Sequence, residues 1–482
     1  MAKETAERKR PWRENIEALT MAIAVALLFK VFFLEISKIP SGSMQPTLMG
    51  DPGSDTFDRI AVDKLSYHFR DPQRWEIVVF KHPLERSRVM VKRLVGMPGE
   101  DLKIEHGDLW RRADAGAAWE HLRRPDPLQR AMWKSLETRD VTRSSWRALD
   151  TEDWRFQGRS IKASGPGSAR YERSPQGSIL ALYTDGYADA LRAEVKASPA
   201  PTHRVGDVRL EGSVTARTGT VAVEVELSEG GLIYAFRLPG PAGGPGDPAR
   251  IEVRDRRTRA TLSSRAAEGA LRLVAGEALA FAVENLDDRL RFEVDGRIVA
   301  QVDVDPVPEQ HASIVLRVEG EGAELDDLLP YRDVYYYDSD PQRPQPWTVT
   351  IPPGNYVMLG DNTQDSADGR DWTYTSFSWD QGDGPRSEIG NFREPGASGQ
   401  NPIPIAFAGA GAGAEGSQGG YVFRDRWGDC YWLRQDEISG MRLDGKGVPA
   451  PLVPRELLLG RAVAVFWPLQ PTRMLWRLGW LR

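Results

Sequence analysis

Apolar and polar positions change rhythm along this chain, and each change predicts a different element. From Ala18 to Leu34 (ALTMAIAVALLFKVFFL) the apolar run is continuous, with Lys30 its only charge. Such a run predicts a helix at the short end of the length that spans a bilayer. Lys30 lies near the far end, where its stem can follow the apolar zone while the ammonium reaches the interface. Lys3, Arg8, Lys9, Arg10 and Arg13 precede the run. Basic residues on that side predict a cytoplasmic N-terminus, with everything after Ile36 outside the cytoplasm. A cleaved secretory signal is the alternative reading, although EISKIPSGSM supplies no small-x-small site.

Beyond the run the period shortens to two. Val89–Val95 alternates so that Lys92 shares one strand face with Met90 and Leu94, and Met97-Pro98-Gly99 closes the strand. Arg74–Phe80 keeps a β-branched and aromatic core and predicts a second strand. From Gly206 to Leu329 nearly everything reads as strand. Val221, Val223, Val225 and Leu227 alternate with Ala222, Glu224 and Glu226, and Asp295-Gly296 sits at the centre of a hairpin. Strands at this spacing predict a β-sandwich.

Composition removes several function classes. The 482 residues exceed what one hydrophobic core organises, so several domains are expected. A formal charge of -6 offers no electrostatic footprint for nucleic acid, and none is expected as a partner. A single cysteine, Cys430, excludes an internal disulfide, and the six histidines lack metal-ligand spacing. Neither a metal nor a cofactor is expected.

Candidate chemistry sits directly after the apolar run, in KIPSGSMQPTL (Lys38–Leu48), which combines turn residues with two serines. A serine hydroxyl is a weak nucleophile until a base takes its proton. SGSMQ is not a G-x-S-x-G elbow, no lysine stands three residues after Ser41 or Ser43, and none of His68, His82, His106, His121, His203 and His311 has a motif-like setting. Lys92 is the candidate base. Flanked by Met90 and Leu94 on its strand face it loses water, and desolvation lowers a lysine's pKa toward neutrality. A lysine snorkelling from an edge strand is the structural alternative.

The order of these segments, apolar span, PSGSMQPTL, FDRIAVDKLSY, MVKRLVGMPGE and GDNTQDSADGRDW, resembles the bacterial type I signal peptidases, membrane-bound Ser-Lys endopeptidases. The resemblance covers residues 14–106, 331–373 and GRAVAVFWP at 460–468. It implies Ser43 as nucleophile and Lys92 as general base, with Ser41 joining the Ser43 backbone N–H in the oxyanion hole. Ser366 falls on the serine that orients the lysine, and Asp368 and Arg370 on a supporting ion pair. Ile39, Met44, Leu48, Met90 and Val91 fall on the substrate pocket, although apolar side chains at such positions equally suit a core. One departure stands out: Thr363, Gln364 and Asp365 replace the family's usual Arg-Asp-Asn.

The implied fold is mainly β: an N-terminal transmembrane helix, then a β-rich signal-peptidase-like catalytic domain interrupted by a jelly-roll-like sandwich. The expected divisions are 1–36 (cytoplasmic N-terminus and span), 37–106 (catalytic part), 107–205 (an insertion with scattered helical signals), 206–330 (sandwich), 331–373 (catalytic part), 374–459 (second insertion) and 460–482 (catalytic end and tail). Implied partners are secreted precursors carrying signal peptides, cleaved after small-x-small sites, and membrane lipid at a bacterial plasma membrane. The sandwich holds no tryptophan and one tyrosine, Tyr234. A sugar-stacking platform is therefore hard to build, leaving a scaffold or a protein partner as the expected use. A membrane-anchored binding protein with a silent peptidase core is the rival reading. Trp467, Trp476 and Trp480, interspersed with Arg473, Arg477 and Arg482, suit either a membrane interface or a tail packed on the body.

Overall fold

A computed structural model describes residues 11–32, 34–138, 141, 143–173, 177–192, 195, 203–307, 311–336, 346–381, 384–390, 405–407, 420–427, 429–434, 438–470 and 475–481. A helix, Pro11–Phe32, forms across the apolar run. Among the described residues no helix is long and apolar enough to cross a membrane. The side chains of residues 25–34, which fall within the expected span, lie outside the described set, as do the basic residues Lys3, Arg8, Lys9 and Arg10.

After the helix the described residues are mainly β, with short helices at Ser66–Phe69, Asp126–Met132 and Asp189–Arg192, and two large bodies of sheet dominate. The first is antiparallel and is assembled from distant parts of the chain. Its strands run in the order Leu34–Lys38, Arg59–Asp63, Leu458–Trp467, Ile77–His82, Glu85–Gly96, Asn355–Leu359 and Leu452–Pro454. The predicted strand around Lys92 is thus Glu85–Gly96, and the one expected over Arg74–Phe80 is Ile77–His82. GRAVAVFWP enters the middle of this sheet, between Arg59–Asp63 and Ile77–His82. Its two faces carry different apolar clusters. Val78, Phe80, Met90, Leu94, Met358 and Trp372 fill one, and Ile39, Met44, Leu48, Ile60, Val62, Ile77 and Val79 the other.

The second body is the expected sandwich, made of two antiparallel sheets. One runs Arg155–Gln157, Ser160–Ala163, Ala323–Arg332, Val208–Ala216, Ala278–Leu286, Arg289–Val294 and Arg297–Asp303. The other runs Trp146–Ala148, Gly167–Tyr171, Ala312–Gly320, Thr220–Glu229, Leu232–Pro239, Arg250–Asp255 and Thr261–Ala266. Val223, Val225 and Leu227 point into the core between the sheets, where Phe236 and Phe292 meet edge to face. The hairpin turn has positive φ at both Asp295 and Gly296, as a two-residue turn between right-twisted strands requires. The sheets cross the boundary expected near Gly206. Four strands from residues 146–171 belong to them, and Trp146 and Trp154 are buried in their core. Tyr234 is fully buried in the core between the sheets.

The second insertion supplies Thr373–Gln381, Gly384–Gly390 and Ile438–Pro449 as one sheet, and a hairpin of Gly420–Arg424 with Cys430–Arg434. Most of the Gly- and Ala-rich stretch Ala406–Gly420, residues 408–419, lies outside the described set. The C-terminal tail packs on the body through Arg477. Its guanidinium pairs with Asp58 at 2.6 Å and donates to the carbonyls of Pro46 and Thr47. Trp480 remains exposed.

Candidate active site

Ser43 lies in a single 3₁₀ turn, Gly42–Met44, which the chain enters from Ser41 in an extended conformation. Pro40 and Pro46 bracket the turn, and Met44 anchors it in the apolar cluster below. Gly50 lets the returning chain lie against the backbone of Ser41, where any side chain would collide with it. Ser41 is exposed and Ser43 partly so, which leaves both hydroxyls open to a substrate.

The strand Glu85–Gly96 runs beside this turn and carries Lys92, whose side chain is fully buried. Burial pulls the Lys92 amine down to about 8, against the opposing pull of the Asp368 carboxylate. The amine donates to Ser366 Oγ at 2.9 Å, and Ser366 in turn donates to Asp368 Oδ2 at 2.8 Å. Asp368 pairs with Arg370 at 2.8 Å and accepts the Gly360 N–H at 2.8 Å. Burial alone would push this carboxyl up, but Arg370 holds it below the ordinary range. A lysine–serine–carboxylate–arginine chain therefore runs through the interior, joining residues more than 270 positions apart in sequence.

This chain touches the Ser43 turn through Gly360–Asn362. Asn362 donates its backbone N–H to the Ser43 carbonyl at 3.2 Å and its side-chain amide to the Gly42 carbonyl at 2.9 Å. A side chain at Gly360 would collide with both Ser366 Oγ and the Ser43 carbonyl, so glycine is required where the two segments meet. Asp361 is buried against Arg93 at 2.7 Å and accepts from the Thr47 hydroxyl at 2.6 Å, pinning the same loop from the other side. In this structure the Lys92 amine bonds Ser366 rather than the Ser43 hydroxyl.

Of the predicted pocket residues, Ile39, Met44, Leu48 and Val91 come together in one cluster. Met90 lies in the opposite cluster with Phe80 and Trp372, on the face that carries Lys92. Successive strand residues point to opposite faces, so Met90 and Val91 cannot both line one pocket without a bulge between them. Sequence reasoning missed Arg93, Asp361 and Asn362, which pin the turn, and Lys134, Tyr183 and Tyr187, which reach the same loops from the inserted segment.

Two other groupings offer metal-type ligands: Asp108 with His121 and Asp288, and Asp108 with Asp207 and Asp287, each with its ligand atoms within 4.8 Å. His121 Nε2 already lies 2.8 Å from Asp288, and burial next to Asp333 pushes Asp287 up to about 6.

The buried Lys92–Ser366–Asp368–Arg370 chain and the turn that carries Ser43 thus meet at Gly360–Asn362. Comparison with known proteins matches the N-terminal part of this region to a peptidase family. Residues 12–136, about a quarter of the chain, match the family model for signal peptidase, peptidase S26, a stretch that includes Ser41, Ser43 and Lys92. A probable signal peptidase I-1 of Synechocystis sp. is 38% identical over 112 residues, which is 21% of this chain and 54% of that protein. Signal peptidase I of Leptolyngbya laminosa is 36% identical over 105 residues, 20% of this chain and 48% of that protein. The chain thus spans about half the length of the curated relatives it matches. Among solved structures, the carbohydrate binding module CBM66 from Bacillus subtilis covers 40% of this chain and 97% of its own at 9% identity and a TM-score of 0.26, too distant to carry an argument.

Proposed function

We propose that this protein is a membrane-anchored serine endopeptidase that removes signal peptides from secreted precursors. The observation that supports it most is the buried Lys92 amine, lowered to about 8 and held by Ser366 beside the turn that carries Ser43. A lysine in that state is neutral in a useful fraction of molecules near neutral pH and can accept a proton.

In the proposed reaction the neutral Lys92 amine takes the Ser43 hydroxyl proton as Ser43 Oγ attacks the scissile carbonyl, a contact made on substrate binding. The tetrahedral oxyanion is received by the Ser43 N–H and the Ser41 hydroxyl. Collapse breaks the C–N bond, and the Lys92 ammonium returns its proton to the leaving amine. Water, deprotonated by the same amine, then hydrolyses the acyl-enzyme and frees Ser43. Ser366, Asp368 and Arg370 orient the lysine. Ile39, Met44, Leu48 and Val91 wall a shallow apolar subsite that admits small side chains, and the helix Pro11–Phe32 anchors the enzyme beside its substrate.

The test uses purified full-length protein and a secreted precursor. Wild type should cut once, after a small-x-small sequence. Ser43→Ala should lose at least about a thousandfold in rate, since members of a nucleophile–base unit fail together. Retained cleavage by Ser43→Ala would remove the assignment, and efficient cutting after phenylalanine or leucine would remove the proposed subsite.

A further inference from the structure

The inserted segment reaches the nucleophile turn by a set of contacts that no part of the mechanism above uses. Tyr183 and Tyr187 both direct their hydroxyls at Gln45 Oε1, at 3.1 and 2.6 Å. Gln45 stands two residues after Ser43 and is 2% exposed. A buried amide oxygen needs a donor, and both donors here are tyrosines from the inserted segment. Asn362 completes the link, because the amide that donates to the Gly42 carbonyl at 2.9 Å also donates to Tyr183 Oη at 3.1 Å. Lys134 Nζ donates to the Asp361 carbonyl at 3.2 Å, and Gln364 Nε2 to the Ala181 carbonyl at 3.0 Å. Beneath these bonds the Tyr187 ring shares an apolar cluster with Met49, Leu191 and Val195.

We infer that Tyr183 and Tyr187 are positioning residues for the turn Gly42–Met44, so that the insertion forms part of the active unit. The inference rests on the reading of Ser43 as nucleophile. A nucleophile on a short surface turn loses rate when the turn samples other conformations, and bonds made once on folding remove that cost from each turnover. The departure from the family pattern at Thr363-Gln364-Asp365 falls at this junction: Gln364 meets Ala181, and the Tyr183 hydroxyl lies 3.4 Å from Asp365.

The test is the double variant Tyr183→Phe/Tyr187→Phe in the full chain, which keeps both rings in place and removes both hydroxyls. Precursor cleavage should fall about tenfold in kcat with KM changed less than twofold, the scale of two lost hydrogen bonds. Amide hydrogen exchange over residues 42–49 should quicken about tenfold, while exchange in the sandwich strands stays at the wild-type rate. Wild-type exchange over 42–49 overturns the inference, whatever happens to kcat. Should the double variant fail to fold, Tyr183→Phe alone, at a half-buried position, gives the same two readouts. Ser43→Ala run alongside separates the two claims: its cleavage reports on the nucleophile, whereas loop exchange in the tyrosine variants reports on positioning without any turnover.

Discussion

The sandwich and the sheet that carries Lys92 both bury charge, and Arg209 and Lys92 show two outcomes. On the sandwich, Arg254 forks onto Glu224 at 2.7 and 2.8 Å, and Arg317 meets the buried Glu226 at 2.9 Å. Arg209, set between Glu284 and Glu293, shows the balance of terms. Burial alone would lower its pKa, but the two carboxylates raise it above its ordinary value. On the other sheet, burial outweighs the Asp368 carboxylate, because Arg370 already neutralises that carboxylate, and the Lys92 amine falls. Arg209 and Lys92 therefore shift in opposite directions, according to how far the nearby carboxylates are free to match them; Lys134, buried where the sandwich meets the Asp361 loop, also falls, to about 7.

The largest expected effect breaks this contrast at its centre. Lys92→Arg keeps a positive charge and most of the stem, but guanidinium does not deprotonate in proteins. It should be as inactive as Lys92→Ala, at least about a thousandfold below wild type in precursor cleavage. Near-wild-type cleavage by a folded Lys92→Arg protein would end the lysine-base reading. In the wild type, kcat/KM should climb with pH through about 8 as the amine becomes neutral. The folded pKa is depressed from 10.5, so the unfolded chain binds more protons between about 8 and 10.5. Stability should therefore rise with pH across that window, a slope that Lys92→Met should flatten in denaturant titrations.

Ser41→Ala sharpens the picture at a smaller scale. Removing one oxyanion donor should lower kcat about a hundredfold while leaving the pH midpoint of the rate in place, because the base is untouched. A shifted midpoint would give Ser41 a part in setting the lysine instead.

The smallest effect concerns a corner of the sandwich where buried charge is under-matched. Asp287 is raised from 3.8 to about 6 by burial and by Asp333. Its contribution to stability is fully present below about pH 4 and is lost as pH rises through about 6. Asp287→Asn should therefore raise stability near pH 7 by about 1 kcal/mol and weaken the pH dependence between 4 and 6. Asparagine tolerates the positive φ of this position, so backbone strain should not mask the gain. Thermal unfolding at pH 5 and pH 7 reads both.

What was legible in the sequence was what depends on neighbours in the chain. Period-two alternation put Lys92 among Met90 and Leu94, and the structure buries all three. The Asp295-Gly296 dipeptide located its hairpin because only a few residues accept those backbone angles. The resemblance placed Met90 and Val91 in one pocket against that alternation, and the structure puts them in different clusters. Ser366, Asp368 and Arg370 were legible only through resemblance, since a short acidic turn gives no local sign that it will close over a lysine 274 positions earlier. Tyr183 and Tyr187 left no local signal, because their use depends on a fold that returns them to Gln45. The altered Thr363-Gln364-Asp365 was the one trace of that contact. The boundary near Gly206 was drawn where continuous strand signal begins, whereas the sheets recruit short strands from residues 146–171 by hydrogen bonding.

The place of Leu458–Trp467 in the middle of the first sheet bears on the order in which the molecule can be made. A ribosome delivers Ser43 and Lys92 early, but the strand that joins Arg59–Asp63 to Ile77–His82 emerges only after both insertions have been synthesised. During that interval the sandwich, whose strands lie between residues 146 and 332 with one short addition at Lys134–Ser135, can fold as a unit on the emerging chain. The two halves of the first sheet meanwhile wait with unpaired edges. The first sheet thus closes only after Leu458–Trp467 has been delivered, however early its other strands emerge.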